Sequence, residues 1–161
     1  MTRLVRPTIV LLAAALAAAG ATAPSAGARL DASERKMVRL VNDMRAQHDL
    51  GRVHVSHALG RAADGHSRDM LRHDFFDHSS SDGTSFDRRV RRYANARTVG
   101  ETLAAIGRRR GGAHTVVQMW MDSPPHRAIL LSSDFRRIGI ARRWGTLGST
   151  KQAVVTADFA S

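Results

Sequence analysis

The first 28 residues limit what this chain can fold into, because they do not have the pattern of a folded domain. A start with two arginines precedes an apolar run at 9–19, and small residues follow up to the triplet at 26–28. A charged start, a short apolar middle and a small-x-small end are typical of a secretory signal peptide. We therefore predict a signal peptide at residues 1–28 and a secreted mature chain of residues 29–161.

Two alternatives concern this segment. A retained amphipathic anchor is the first, but the apolar run is shorter than the roughly 20 residues that a membrane span needs. Cleavage after Ala23 is the second, and it would place Pro24 directly after the cut. We favour cleavage after Ala28 and expect no transmembrane segment in the mature chain.

Length and composition predict one small domain that is held together by packing. Residues 29–161 fall within the roughly 100 to 150 residues common for a single domain. Cysteine is absent, which excludes disulfides, thiolate metal ligands and cysteine nucleophiles. Lys and Arg number 25 against 14 Asp and Glu, a formal net charge of +11 that favours anionic polymers or lipid headgroups. An arginine-rich composition set by a GC-rich genome explains the same charge without any partner.

Capping residues and apolar spacing predict four helices. A capping box at Asp31 to Glu34 begins a first helix over 32–49. Ser56 caps a second helix that ends near His73 and places His66 on its apolar face, as a core histidine. A cap at Thr84 or Ser85 begins a third helix. A fourth helix covers 113–122 and ends there because of the prolines at 124 and 125, and a short turn follows at 127–131.

The remaining segments predict strands and loops. Residues 98–106 begin extended, and a basic, glycine-closed loop follows at 108–112. Apolar alternation on both sides of a glycine-bearing connection at 145–148 predicts a terminal hairpin. The arginines at 88–92 and 108–110 lack interleaved aromatic residues, so we interpret them as a solvated helix face and loop and expect no specific nucleic-acid partner.

Three residues form the candidate site. His78 stands in a polar loop, the proline pair before His126 restricts the backbone that carries it, and Glu101 lies inside an apolar run. A carboxylate buried in such a run needs a partner. The three side chains could bind a divalent cation or form a hydrogen-bonded cluster. The sequence contains no His-Glu-x-x-His, Gly-x-Ser-x-Gly, phosphate-loop or Ser-x-x-Lys motif.

An ordered series of short motifs resembles the bacterial branch of the CAP superfamily, the SCP-like extracellular proteins related to cysteine-rich secretory proteins, antigen 5 and pathogenesis-related proteins. Together the motifs cover nearly all of the mature chain. They are Asn42-x-x-Arg45, His66-Ser67-Arg68-Asp69-Met70, Phe76-x-His78, Val99-Gly100-Glu101 and Trp120-Met121-x-Ser123-Pro124-x-His126.

The resemblance implies an α+β fold, an α-β-α sandwich in which about four helices flank a small central antiparallel sheet. It also implies a wide cleft with two histidines and two acidic residues. The histidines map to His78 and His126, which in the family bind divalent cations such as zinc or magnesium, and the first acid maps to Glu101. The position of the second acid is Ser123 here, and the adjacent Asp122 would point about 100° away on a helix.

The missing acid weakens both a cation site and any acid–base pair. We therefore expect a secreted binding module for a lipid, a cell-envelope polymer or a protein, with a weak divalent-cation site and without enzymatic activity. The alternative is an extracellular, peptidase-like hydrolase in which Glu101 or His126 acts as general base.

Overall fold

The computed structural model describes residues 30–107 and 112–161 and shows an α+β fold. The predicted signal peptide and residues 108–111 of the predicted basic loop lie outside the described residues. The elements in chain order are α1 (Ala32–Gln47), β1 (His54–Val55), α2 (His57–His73), α3 (Phe86–Arg91), β2 (Val99–Gly107), α4 (Ala113–Asp122), α5 (Pro124–Leu130), β3 (Arg137–Leu147) and β4 (Thr150–Ala160).

The capping signals place the helices as predicted. The carboxylate of Asp31 accepts from the Glu34 backbone N–H, and that of Glu34 accepts from the Asp31 N–H, each at 2.7 Å. The Ser56 hydroxyl caps α2 by accepting from the Leu59 N–H at 3.4 Å. The first helix ends at Gln47, two residues before the predicted end.

The segment after α4 is a correction to the sequence analysis. We predicted a short turn at 127–131, but a helix, α5, begins at Pro124. A proline breaks the helix that precedes it, yet it fits the first turn of the next helix, where its missing N–H would have no partner in any case. The proline pair therefore starts the helix that carries His126.

The sheet has the order β1-β3-β4-β2. The predicted hairpin is confirmed as the antiparallel pair β3 and β4, with Gly148 at a φ of 60° in the turn, and β2 pairs with β4 antiparallel. The short strand β1 adds a parallel pairing to β3 that the expected antiparallel sheet lacked. Two residues are too few to show strand periodicity in a sequence.

Helices cover both faces of the sheet, which confirms the three-layer expectation. Alternate residues of β3 and β4, such as Ile138, Ile140 and Phe159, pack with α1 and α4 in the main core. The intervening residues face α2, as the hydrogen bond of 2.8 Å between Ser67 and Thr156 shows. Because side chains alternate across a strand, the residues of β4 on the same face as Thr156 also face α2, and so do their register partners on β2.

Helix α2 lies with its backbone directly on the sheet. A Cβ atom on Gly139 would stand 2.1 Å from the Leu59 carbonyl carbon and from the Gly60 nitrogen. Gly139 is the register partner of Asp158. Helix α2 therefore covers the side chain of Asp158, and it packs so closely on the sheet here that moving it away would disrupt the packing between helix and sheet.

The pair Asn42 and Arg45, from the first of the family-like motifs, connects α1 to distant loops. Asn42 exchanges two hydrogen bonds with the backbone of Val53, at 2.8 and 3.0 Å. The fully buried Arg45 donates from Nη1 to the Leu130 and Ser132 carbonyls, at 2.8 and 2.9 Å. These bonds hold the segment that follows α5 against the first helix.

Within residues 30–107 and 112–161, no helix combines the length and the apolar character of a transmembrane helix.

Candidate functional site

Glu101 is the centre of the site. It lies near the start of β2, an edge strand of the sheet, and only 1% of it is exposed. Its Oε1 accepts a hydrogen bond from Nδ1 of His78 at 2.8 Å, and its Oε2 accepts from Nη2 of Arg89. The buried carboxylate predicted from the sequence thus has two partners, one of which is the predicted His78.

Arg89 is a site residue that the sequence analysis missed. We interpreted the arginines at 88–92 as a solvated face, but Arg89 is buried, with 7% exposure. Its Nη1 also donates to the His78 carbonyl at 3.0 Å and to the Ser80 hydroxyl at 2.9 Å. One guanidinium therefore neutralises Glu101 and fixes the loop that carries His78. On the short helix α3, Arg89 and the adjacent Val90 are the two buried residues.

His78 forms the exposed end of this cluster, since about half of its side chain is exposed. The ring packs edge-on against Phe86, with 6.1 Å between the centroids. The hydrogen bond to Glu101, together with the negative charge of that residue, raises the pKa of His78 above its ordinary value. Because Nδ1 is bound to Glu101, Nε2 is the nitrogen that His78 can offer to a ligand.

His126 lies within electrostatic reach of His78. Helices α3 and α5 both contact β2 but belong to different clusters, since Val90 of α3 packs near Val99 and Leu130 of α5 lies in the main core. Burial lowers the pKa of His126, and the positive charge of His78 lowers it further. The structure therefore places the two predicted histidines within electrostatic reach of each other, with different proton affinities.

Ser123 lies at the N-cap of α5, where the family resemblance implies the second acidic residue, and its hydroxyl carries no negative charge. Its side chain makes no capping hydrogen bond. The neighbouring Asp122 accepts from Nε2 of Gln118 at 2.8 Å, on the exposed side of α4. The expectation that Asp122 cannot fill the position of the second acid is thus consistent with its placement.

The described residues do not fit a three-ligand metal centre. Both oxygens of Glu101 already accept from N–H donors, and the Arg89 guanidinium would repel a cation at that carboxylate. No cluster of three or more His, Asp or Glu side chains in residues 30–107 and 112–161 could hold a metal ion. A divalent cation would thus depend on the imidazoles of His78 and His126 alone.

Asp158 is a second acidic residue beside Glu101 that the sequence analysis also missed. It lies on β4 as the direct register partner of Glu101, and it is completely buried. Burial and the charge of Glu101 raise its pKa well above the ordinary value of 3.8. The signal in the sequence was an acid inside the apolar run 153–160, but only the strand pairing places it next to Glu101.

The position of His66 on α2 confirms the prediction that it is a core histidine. His66 is buried in the core, and its Nε2 donates to the Asp77 carbonyl at 2.9 Å. Beside it, a cavity of about 420 Å³ opens between α2, α3 and the loop at 80–82. Arg89 lines this cavity together with Tyr93 and three further arginines, namely Arg68, Arg72 and Arg92.

Comparisons with known proteins point to one family. The model of the cysteine-rich secretory protein family, CAP, matches residues 38–159. The chain is 32% identical over 120 residues to the uncharacterized protein YkwD of Bacillus subtilis, covering 74% of this chain and 46% of that protein. It is 29% identical over 109 residues to the uncharacterized membrane protein YlbC of the same organism, covering 67% and 31%. The chain spans less than half the length of these curated relatives.

Solved structures share the fold. An extracellular protein of Bacillus anthracis that contains an SCP domain superposes with a TM-score of 0.66 and 25% identity, over 78% of this chain and 39% of that chain. An outer surface protein of Borrelia burgdorferi superposes with a TM-score of 0.69 and 20% identity, over 84% of this chain and 98% of that chain. The α+β architecture expected from the sequence is thereby confirmed.

Proposed function

Because the chain belongs to the CAP family of cysteine-rich secretory proteins, we propose that it is an extracellular binding protein whose cleft at His78 and His126 takes a component of the cell envelope. The observation that carries this proposal is the state of Glu101. Both of its oxygens accept from N–H donors, and almost none of its surface is exposed. A carboxylate held in this way is suited to orienting its neighbours and offers almost no free surface to a substrate.

The serines beside His78 support binding over turnover. The arrangement of Glu101 and His78 resembles the acid and base of a catalytic triad, in which a hydroxyl pairs with the other imidazole nitrogen. Here the Ser80 hydroxyl accepts from Arg89, and the Ser81 hydroxyl donates to Asp69 at 2.7 Å. Among the described residues, no hydroxyl is hydrogen-bonded to His78.

The charges favour a ligand that is rich in hydrogen-bond acceptors or anionic. Arg89 balances Glu101, and the raised pKa of His78 adds positive charge at the rim of the cleft. The adjacent cavity adds Arg68, Arg72 and Arg92 against the carboxylates of Asp69 and Asp82, which leaves it positive on balance. Phospholipid headgroups, acidic envelope polymers and acidic protein segments share the chemistry that such a surface attracts.

The second candidate function is hydrolysis, and one observation favours it. His78 has a raised pKa and His126 a lowered one. Two titratable groups with diverging proton affinities are typical of an acid and its base. In this alternative, neutral His126 accepts the proton of a water molecule and His78 donates one to the leaving group.

A weak cation site accompanies the binding function in our proposal. Zinc or magnesium would bind through two imidazoles, without a carboxylate ligand, so we expect modest affinity. Calorimetry tests this with zinc alone: binding that survives the double change of His78→Ala and His126→Ala would contradict it.

A binding experiment tests the main proposal. The exported chain is mixed with anionic phosphatidylglycerol vesicles and, separately, with purified cell-wall polymer, and the bound fraction is measured. We expect the double variant His78→Gln and His126→Gln to lose most of the binding, whereas His114→Gln, which changes an exposed histidine of α4, retains it.

Native mass spectrometry with and without chelator reports a retained ligand or metal. Turnover that persists through purification and disappears in Glu101→Gln would make hydrolysis the preferred function.

A further inference from the structure

Asp158 is the most unusual acidic residue of the described chain. It has no exposed surface, and neither of its carboxyl oxygens receives a hydrogen bond from a described residue. A buried charged group without donors is costly, because it has lost water and gained nothing in exchange. It therefore needs to be explained how the carboxyl group of Asp158 is buried without a hydrogen-bond donor.

The sheet places this residue against Glu101. The two are register partners on β4 and β2, so their side chains project from the same face at neighbouring positions. On the other side, Asp158 faces Gly139, where the α2 backbone lies directly on the sheet. Asp158 is thus enclosed between a helix, a strand without a side chain at that position, and the carboxylate of Glu101.

Two ionised carboxylates at this place would both be hydrogen-bond acceptors and would repel each other. With one proton between them, the O–H of one group can donate to the other, as in acidic pairs that share a proton. The charged groups that face Asp158 are Glu101 from β2 and Arg89 from α3, and the neutral His66 lies nearby on α2. A single guanidinium balances one carboxylate and leaves the other unpaired.

The surroundings decide which group carries the proton. Both oxygens of Glu101 already accept from N–H donors, one from Arg89 and one from His78. Asp158 has no donor, so the neutral acid is its favoured form. A carboxylate has about four lone-pair positions, and Glu101 can therefore accept a third hydrogen bond.

We propose that Asp158 is a positioning residue of the site, a carboxylic acid that remains neutral in the folded protein and donates its proton in a hydrogen bond to Glu101. This bond fixes the Glu101 carboxylate from the neighbouring strand β4, while Arg89 and His78 each hold one of its oxygens. The orientation of His78 then depends on a residue with no access to the ligand. The inference rests on the proposed function only in taking His78 as the residue that contacts the ligand.

The pH dependence of stability gives the first test, in urea unfolding of the exported chain. Between the ordinary pKa of 3.8 and the raised pKa of Asp158, the folded state binds one more proton than the unfolded state. The free energy of unfolding therefore falls as pH rises through this range, with a slope of about one proton from this group. Asp158→Asn keeps a donor for Glu101 and cannot titrate, so we expect it to remove that slope, to be as stable as the parent below pH 3.8 and to be more stable than the parent at pH 7.

Thr156→Val is the matched control. Thr156 lies on the same strand and the same face, and it is equally buried, but it pairs with Ser67 and carries no charge. We expect this variant to lose stability by the same amount at every pH, with the slope unchanged. An Asp158→Asn variant whose slope equals that of the parent would show that Asp158 is ionised, and the proposal would be wrong.

Spectroscopy of the parent protein gives a test that does not depend on a variant folding. With ¹³C-labelled aspartate, we expect the Asp158 carboxyl resonance to remain that of a protonated acid as the pH rises past 3.8, with no transition near that ordinary value. A transition there would overturn the proposal. A positioning role predicts further that Asp158→Leu shifts the ring resonances of His78 and that Asp158→Asn restores them. None of these readouts requires a ligand, so a failed binding experiment leaves them unaffected.

Discussion

Arg45 and Glu101 are two buried charges in one small domain, and they are satisfied in opposite ways. Four backbone carbonyls, all neutral and all fixed in the fold, surround Arg45; the two from Gly51 and Phe135 lie at 2.8 and 3.3 Å. Glu101 has only side chains as partners, and one of them, His78, is half exposed. The first arrangement joins chain segments, whereas the second connects the interior to the solvent.

The comparison separates structural burial from functional burial. Both residues belong to motifs that resemble the same family, and both are almost completely inaccessible. The difference lies in the partners, because carbonyls cannot titrate or turn toward a ligand, and an imidazole can do both. A buried charge indicates a site when its partners can change their protonation or conformation.

The largest expected effect is on the structural side of the comparison. Arg45→Met removes all the N–H donors of the guanidinium and leaves buried carbonyls without partners, which costs about 3 kcal/mol or more in the free energy of unfolding. Urea unfolding measures the loss, and Arg39→Met, an exposed change on the same helix, should cost little. A loss below about 1 kcal/mol for Arg45→Met would mean that these carbonyls find other donors.

A smaller loss is expected for Glu101→Gln, about 2 kcal/mol, because the amide keeps an acceptor oxygen for Arg89 but loses the charge that strengthens the hydrogen bonds. The same change should lower the pKa of His78 toward its ordinary value, since the Glu101 hydrogen bond is the largest cause of the rise. NMR titration of the His78 ring measures this shift. Asp77→Asn serves as control and should lower the pKa much less, because Asp77 acts on His78 only through its charge at a distance.

The two histidines should affect stability with opposite signs. The pKa of His78 is raised in the folded state, so its contribution is fully present below the unfolded value of 6.5 and disappears as pH rises through the folded value. The pKa of His126 is lowered, so this residue costs stability as pH falls below 6.5. Thermal unfolding at pH 5 and pH 9 of His78→Gln and His126→Gln measures both. Equal pH profiles for the two variants would contradict the assignment.

The smallest effect is expected at Ser123. Ser123→Glu restores an acid at the position where the family resemblance expects one, and at this partly exposed place it should change stability by less than about 0.5 kcal/mol. An added charge near a cation contributes about 1 kcal/mol in water, which corresponds to roughly fivefold tighter zinc binding. Calorimetry checks this, with Ser123→Gln as the uncharged control.

Local signals predicted most of the fold. The capping box at Asp31, the Ser56 cap and the glycine turn near Gly148 each act within a few residues, so the sequence shows them directly. Strand β1 and helix α5 were missed for different reasons. The first depends on a partner strand that is distant in sequence, and the second begins at prolines that also end the preceding helix.

The site was predicted in part. His78 and Glu101 came from local context and from the family resemblance, and the structure places them in contact. Arg89 could not be separated from its arginine neighbours, because the side of a short helix that faces inward depends on tertiary packing. Asp158 depends on strand register, which no local pattern specifies. That the three predicted residues bind a ligand stays a prediction.

The close contact at Gly139 also limits which parts of the fold can move. With the α2 backbone resting on the sheet, no layer of side chains lies between them at that point to allow sliding. We therefore expect a bulky ligand at His78 and His126 to be admitted by movement of the loop around His78 or of α5, while α2 stays fixed. Any conformational change on ligand binding should change the amide hydrogen exchange of those two segments and leave the exchange of α2 unchanged.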